Sequence, residues 1–275
     1  MDVHAHLLET YDRAAPTYDS AGIAHFTPFG ERLAQMVLLG PGGRVLDVAC
    51  GSGAALLPAA RRVGPSGTAL GVDLSPRMVA RTRIAAKEAG LEHVRAEVMD
   101  AAALDLADGD FDAVLCAFGL SAVPDADTVV AGMRRALTPR GMIGVSVFAN
   151  LFDVRWTWET DLLQELAADV PAELLEAVGA MSSRFDEPEK LAAGLEAAGF
   201  GDVAIERMEV EFTFPSAEAW WDWTWSYGFR AFLEALPEAS RERLRDAGFE
   251  RLEGAGRRGR SRSFVALLAT ARPAE

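Results

Sequence analysis

The sequence predicts an α/β fold, a doubly wound, mostly parallel seven-stranded sheet carrying helical additions. Three observations support that expectation. Short apolar runs alternate with longer stretches of helical period through the first 150 residues, as expected of parallel strands joined by crossover helices. The first run, "VLDVACGSG" at 45 to 53, breaks into glycines where a helix should begin. The next two strand candidates end in acids, a placement that nucleotide-binding sheets use.

Taken in order, the strand candidates are 44–49, 69–74, 94–99, 111–118 and 142–148, with helices expected at 54–62, 76–89 and 125–137. Past residue 150 the rhythm changes, and 154–180 reads as mainly helical. The stretch "DEPEKLAAGLEAAGF" predicts an amphipathic helix with Asp186 as N-cap ahead of Pro188 and Gly199 as its stop. Residues 203–214 alternate as a strand does, two helical stretches follow at 216–235 and 238–252, and 263–271 is the last strand. No repeat or low-complexity linker interrupts the chain, so a single domain, 1–275, is expected. Its parts are an N-terminal helical cover at 1–40, a cofactor-binding core at 41–150, a helical insertion at 151–200, and closing strands at 201–275 with an aromatic insertion at 216–252.

Composition excludes several function classes. A formal charge of −14 disfavours nucleic acid as a partner. No run approaches the length of a membrane helix and the N-terminus lacks the basic-then-apolar order of a signal peptide, so a cytoplasmic protein with no membrane partner is expected. Cys50 and Cys116 form no zinc pattern, and no metal site is expected. The exception to the acidic balance is "GRRGRSR" at 256 to 262, which reads either as a solvated loop or as an anion-binding edge. A small molecule remains the natural partner, bound by a monomer or a homodimer.

A strand that feeds a helix through glycine lets backbone N–H groups approach a ligand closely. Asp73, about 20 residues beyond Gly53 at the second strand tip, is placed to accept from a ribose diol. Asp100 and Ala101 at the third tip are placed to read an adenine edge; helix N-capping is the competing role for both acids. A dinucleotide fingerprint needs a small residue at 56, where Leu56 stands, and Asp47 would face a pyrophosphate. Carboxylates suit a cation better, and S-adenosylmethionine presents an α-ammonium and a sulfonium.

In order and spacing, "VLDVACGSG", "GVDLSPRMVARTR", "MDAAALDLADGDFDAVLCAFGLSAVPD" and "RRALTPRGMIGVSVF" resemble the successive motifs of class I S-adenosylmethionine-dependent methyltransferases, especially the ubiquinone and menaquinone biosynthesis branch. "YDRAAPTYDSAG" is similar to that branch's cofactor-covering segment. The resemblance implies a Rossmann-like methyltransferase fold with an antiparallel seventh strand, and S-adenosyl-L-methionine as cofactor with S-adenosyl-L-homocysteine as product. By position it implies Asp47, Ala49, Gly51 and Gly53 around the methionine part, Asp73 on the ribose, and Leu74 and Met78 flanking the adenine. It likewise implies Asp100 and Ala101 at the adenine edge, Phe118 beside the cofactor, and Tyr18 closing over it. Many relatives carry glycine where Ala49 stands.

The implied activity is methyl transfer to a small, aromatic or hydrophobic acceptor, such as a specialised metabolite, with the methylated atom (O, N or C) left open. His25, on the segment expected to roof the cofactor, is the candidate base, its alternative being a packing role. "AWWDWTWSYGF" supplies Trp221 and Trp225 at helical i and i+4 as candidate acceptor walls, with Trp156 opposite. The same rings would serve equally as core. Two alternatives accompany this reading: a protein of the same fold that binds the cofactor without methylating or uses the fold for another reaction, and a nicotinamide-dependent oxidoreductase, which Leu56 disfavours.

Overall fold

The computed structural model describes residues 3–19, 23–149 and 154–274. Seven strands form one sheet: β1 (Arg44–Val48), β2 (Thr68–Asp73), β3 (Val94–Val98), β4 (Phe111–Ala117), β5 (Leu137–Phe148), β6 (Phe200–Thr213) and β7 (Ser261–Pro273). Their order is β3-β2-β1-β4-β5-β7-β6. Strands β1 to β5 pair in parallel, and β7 runs antiparallel between β5 and β6. The order reverses between β1 and β4, so a crevice opens at the carboxyl end of β1, where the glycine loop lies.

The helices are α1 (Val3–Ala14), α2 (Thr27–Met36), α3 (Leu56–Val63), α4 (Pro76–Glu88), α5 (Ala126–Ala136), α6 (Thr157–Leu166), α7 (Ala172–Ser183), α8 (Pro188–Ala197), α9 (Ala217–Thr224), α10 (Arg230–Ala235) and α11 (Glu238–Glu253). One buried cluster joins α2 and α3 to α6, α9 and α11 through Phe29, Leu56, Leu162, Trp220, Trp223 and Leu244. The other joins α5 and α8 to the sheet through Val129, Met133, Leu191 and Leu195. Each fully buried large side chain stabilises by about 1.5–3 kcal/mol relative to exposure, so the helical additions are tied to the sheet by a shared core.

Four elements depart from the sequence reading. β5 starts at Leu137, because Phe111 pairs with Leu137 and a register shift before Ala113 lets the strand continue. The run from 154 to 180 is cut at Pro171, which stands as the N-cap of α7. Asp186 does not cap α8; Glu187 holds the N-cap position, and Asp186 instead pairs with Lys190 at 2.8 Å. The helix expected over 216–235 divides into α9 and α10. Ser216 caps α9 by accepting from the Ala219 N–H at 3.2 Å, and Trp225 closes it. Gly228 lies in the break, where a Cβ would come within 2.7 Å of the Tyr11 hydroxyl. The expected boundary between 150 and 151 and the last residues of the N-terminal motif, 20–22, lie outside the described residues.

Candidate active site

The loop after β1 turns through left-handed backbone at Ala49 (φ +55°), Gly51 (φ +52°) and Gly53 (φ +89°). Glycine adopts this conformation freely, whereas an alanine there costs about 1–2 kcal/mol, so Ala49 marks a conformation imposed by its surroundings. The loop is held from behind by backbone contact. A Cβ on Gly30 of α2 would sit 2.3 Å from the Ala54 carbonyl oxygen, so only glycine lets α2 approach.

Asp73 ends β2 with Oδ2 accepting from the Gly51 N–H at 2.8 Å and Oδ1 from the Ser75 N–H at 2.9 Å. Burial pushes its carboxyl up and the two backbone donors hold it down. A carboxylate has lone pairs beyond these two, which leaves acceptor capacity toward a diol. Asp47 lies beneath the loop, 1% exposed. Neither of its oxygens has a partner of good hydrogen-bond geometry, although the Leu56 N–H acts to lower its pKa. Burial, with the charge of Asp73, pushes the Asp47 carboxyl to about 8. Asp100 caps the short 3-10 turn Ala101–Ala103 by accepting from the Ala102 N–H at 2.8 Å, so its capping role is real and occupies one oxygen.

A cavity of about 630 Å³ opens over these strand ends. Of the expected cofactor residues, Tyr18, Ala49, Gly51, Asp73, Leu74, Met78, Asp100, Ala101 and Phe118 line it together, while Asp47, beneath the loop, and Gly53, within it, do not. Tyr18 stacks on Phe26 with ring centroids 5.3 Å apart and planes 8° apart. Rings then continue from Phe26 to Phe118 at 5.1 Å, to Phe148 at 4.5 Å and to Phe264 at 5.6 Å. α1 roofs the cavity with His4, Leu7, Leu8 and Tyr11. It is fastened to α4 by Asp12, which accepts from Ser75 Oγ at 2.7 Å, and to α10 by Arg13, whose Nε donates to Glu234 at 2.9 Å.

An orphaned buried acid beneath an open left-handed loop, beside a second acid with acceptor capacity to spare, fits a cationic nucleoside ligand. The comparisons agree with that chemistry. A family model described as a methyltransferase domain matches residues 45–141. Nocamycin O-methyltransferase of Saccharothrix syringae is 38% identical over 235 residues, covering 82% of this chain and 83% of its own. The chain belongs to the S-adenosylmethionine-dependent methyltransferases. This methyltransferase is also 28% identical to the demethylmenaquinone methyltransferase of Lactobacillus johnsonii over 76% of this chain and 88% of that relative. A crystal structure of a putative methyltransferase from Bacillus halodurans C-125 superimposes with a TM-score of 0.59 at 20% identity, covering 90% of this chain and 99% of that one. That similarity shows a shared fold. The methyl donor is S-adenosylmethionine, and an oxidoreductase reading is set aside.

The far half of the cavity corrects the sequence reading of the methyltransferase. Trp156, Trp221 and Trp225 do not line it. Trp156 is 1% exposed, its Nε1–H committed to the Ser261 carbonyl at 2.8 Å. Trp221 and Trp225 do meet edge to face at 5.9 Å, but α9 ends at Thr224, leaving Trp225 as its C-cap, and neither ring reaches the cavity lining. His25 is likewise one layer behind the wall: its Nδ1 accepts from Trp223 Nε1–H at 3.1 Å, and five aromatic rings surround it. Burial, aided by the charge of Arg262, drops its pKa to about 3, so it is a neutral packing residue with little basicity.

The wall is built instead by Phe148, Phe264, Tyr227, Phe229, Phe232, Glu159 and Arg262. A signal for two of them was available. Arg262 and Phe264 are spaced by two in "SRSF" at the start of a strand, which puts them on one face. The loop reading of "GRRGRSR" holds for Arg257 and Arg258, which are exposed, and fails at Arg262, which is not. Tyr227 lies in the break between α9 and α10, which helical spacing gave no reason to expect. Both cysteines are buried thiols, no metal-binding cluster occurs among the described residues, and no helix there is long and apolar enough to cross a membrane.

Proposed function

We propose that this methyltransferase transfers the methyl group to an oxygen of a small, flat, largely apolar acceptor. The observation that carries this is one cavity that has acids from strand ends at one side and an aromatic wall at the other. When bound, the donor supplies a methyl group activated on a positively charged sulfur. Asp73 accepts from its ribose hydroxyls, Asp47 offsets its positive charge, Leu74 and Met78 flank its adenine, Asp100 and Ala101 face the adenine edge, and Tyr18 covers it.

In-line displacement demands that donor and acceptor be held near attack distance with water kept out. The ring series from Tyr18 to Phe264 supplies that apolar channel. The imidazoles nearby are His4 at an exposed rim and His25 behind the wall. An acceptor oxygen that arrives ionised needs no base, and the name of the Saccharothrix relative supports oxygen as the target. Flat aromatic phenols and acids, offered with S-adenosylmethionine, should release S-adenosylhomocysteine in proportion to a product methylated on oxygen. Methylation found on carbon or nitrogen, or S-adenosylhomocysteine that fails to raise the melting temperature, would overturn the proposal.

A further inference from the structure

The cavity wall opposite the glycine loop carries an ion pair inside apolar surroundings. Arg262 Nη1 meets Glu159 Oε2 at 2.5 Å, with side chains 12% and 4% exposed. Both Glu159 oxygens have a partner, since Oε1 also accepts from Trp220 Nε1–H at 3.1 Å. Arg262 is less completely bonded. Its guanidinium carbon lies 4.9 Å from the centroid of the Trp156 ring, 5.4 Å from Trp223 and 5.5 Å from Phe264, while Nε and Nη2 make no hydrogen bond among the described residues. These two atoms form one edge of the planar fork, the edge that matches a carboxylate with two parallel bonds. Neither atom is among the sealed polar atoms left without a partner, so this edge of the fork keeps open space beside it. Both Arg262 and Glu159 line the cavity, so a ligand inside it has access to that edge.

We infer that Arg262 is a specificity-determining anchor for a carboxylate carried by the acceptor at the end remote from the atom that is methylated. The distance is set by the rings: Arg262 lies over Phe264, which contacts Phe148, which contacts Phe118 at the cofactor side. The acceptor is therefore an elongated apolar acid, its body along the phenylalanines and its carboxylate on the Nε–Nη2 edge. Glu159 holds the guanidinium flat on its aromatic seat and competes weakly with the incoming anion. The inference rests on the acceptor site proposed above.

Its test uses the full chain saturated with S-adenosylhomocysteine and two probes of equal shape, anthracene-2-carboxylate and anthracene-2-carboxamide, titrated by calorimetry. The carboxylate should bind about tenfold tighter than the amide, the scale of a charge-assisted hydrogen bond in a buried site. Arg262→Gln should erase that preference while S-adenosylhomocysteine affinity stays unchanged. Arg262→Lys should restore only part of it, since a point charge lacks the fork, and Glu159→Gln should tighten the carboxylate further. Equal affinity of the two probes for the unaltered protein, no saturable binding of the carboxylate, or a preference that survives Arg262→Gln would overturn the anchor. Failure of S-adenosylhomocysteine itself to bind would sink the reading of the cavity as a whole.

Discussion

The two sides of the cavity are built by different physics. On the cofactor side the shape comes from backbone: three left-handed residues, a glycine that admits a helix to contact distance, and carboxylates at consecutive strand ends. On the acceptor side it comes from side chains delivered by β5, β7, α6 and the break between α9 and α10. A backbone-built site is local in sequence and tolerates little change, whereas a wall of side chains can be rebuilt for another acceptor without disturbing the sheet. Variants on the first side should therefore act on cofactor affinity, and variants on the second on stability or acceptor choice.

The largest effect should come from Asp47. Its folded pKa of about 8 lies above the ordinary unfolded carboxylate value of about 3.9, so protonation favours the folded state. Stability of the ligand-free protein is complete below about pH 4 as far as this group is concerned, and is lost as pH rises toward about 8, by several kcal/mol in all. Asp47→Asn should flatten the melting temperature across that window. It should also abolish proton release, up to about one proton near neutral pH, when S-adenosylmethionine binds, as read by calorimetry in buffers of different ionisation enthalpy. A slope unchanged by the substitution would remove Asp47 as the titrating group, and proton release unchanged by it would break the link between this acid and a cationic ligand.

On the acceptor side, Trp223→Phe removes the donor to His25 Nδ1 and strands a buried acceptor. Chemical denaturation should show a loss of about 2–3 kcal/mol, with S-adenosylhomocysteine affinity intact. Asp73→Ala should do the reverse, weakening the cofactor by roughly 1–3 kcal/mol by calorimetry through unpaired ribose hydroxyls. If Trp223→Phe also weakened the cofactor, the division between the two sides would fail. The smallest effect belongs to Ala49→Gly, which relieves the positive φ and should stabilise by about 0.5 kcal/mol or leave stability level, because the unfolded glycine gains freedom.

The same division explains what could be read in the sequence. Glycine spacing and strand-end acids act within a few positions of one another, so Asp73, Gly51 and Gly199 stand where the sequence places them, whereas the cap of α8 falls at Glu187 and not at Asp186. The acceptor wall depends on which face of α9 turns inward and where that helix stops, and both are decided by partners far along the chain. Tyr11, more than two hundred residues away, occupies the space beside Gly228, and with α9 ended at Thr224 the expected Trp221–Trp225 face no longer continues along one helix. The sequence puts His25 on a segment expected to roof the cofactor, but its ring sits in an aromatic nest whose members come from β6, β7 and α9 and from the segment after α9. Arg262 was hidden for the opposite reason, since its exposed neighbours Arg257 and Arg258 made the whole stretch look solvated.

The helix α1 touches both sides at once, through Asp12 to α4 and through the Arg13–Glu234–Arg230 chain to α10. The roof over the cavity is therefore held from two directions. Because half its fastening is made of partly exposed charges, salt should loosen it. If product leaves by lifting α1, turnover should quicken with ionic strength.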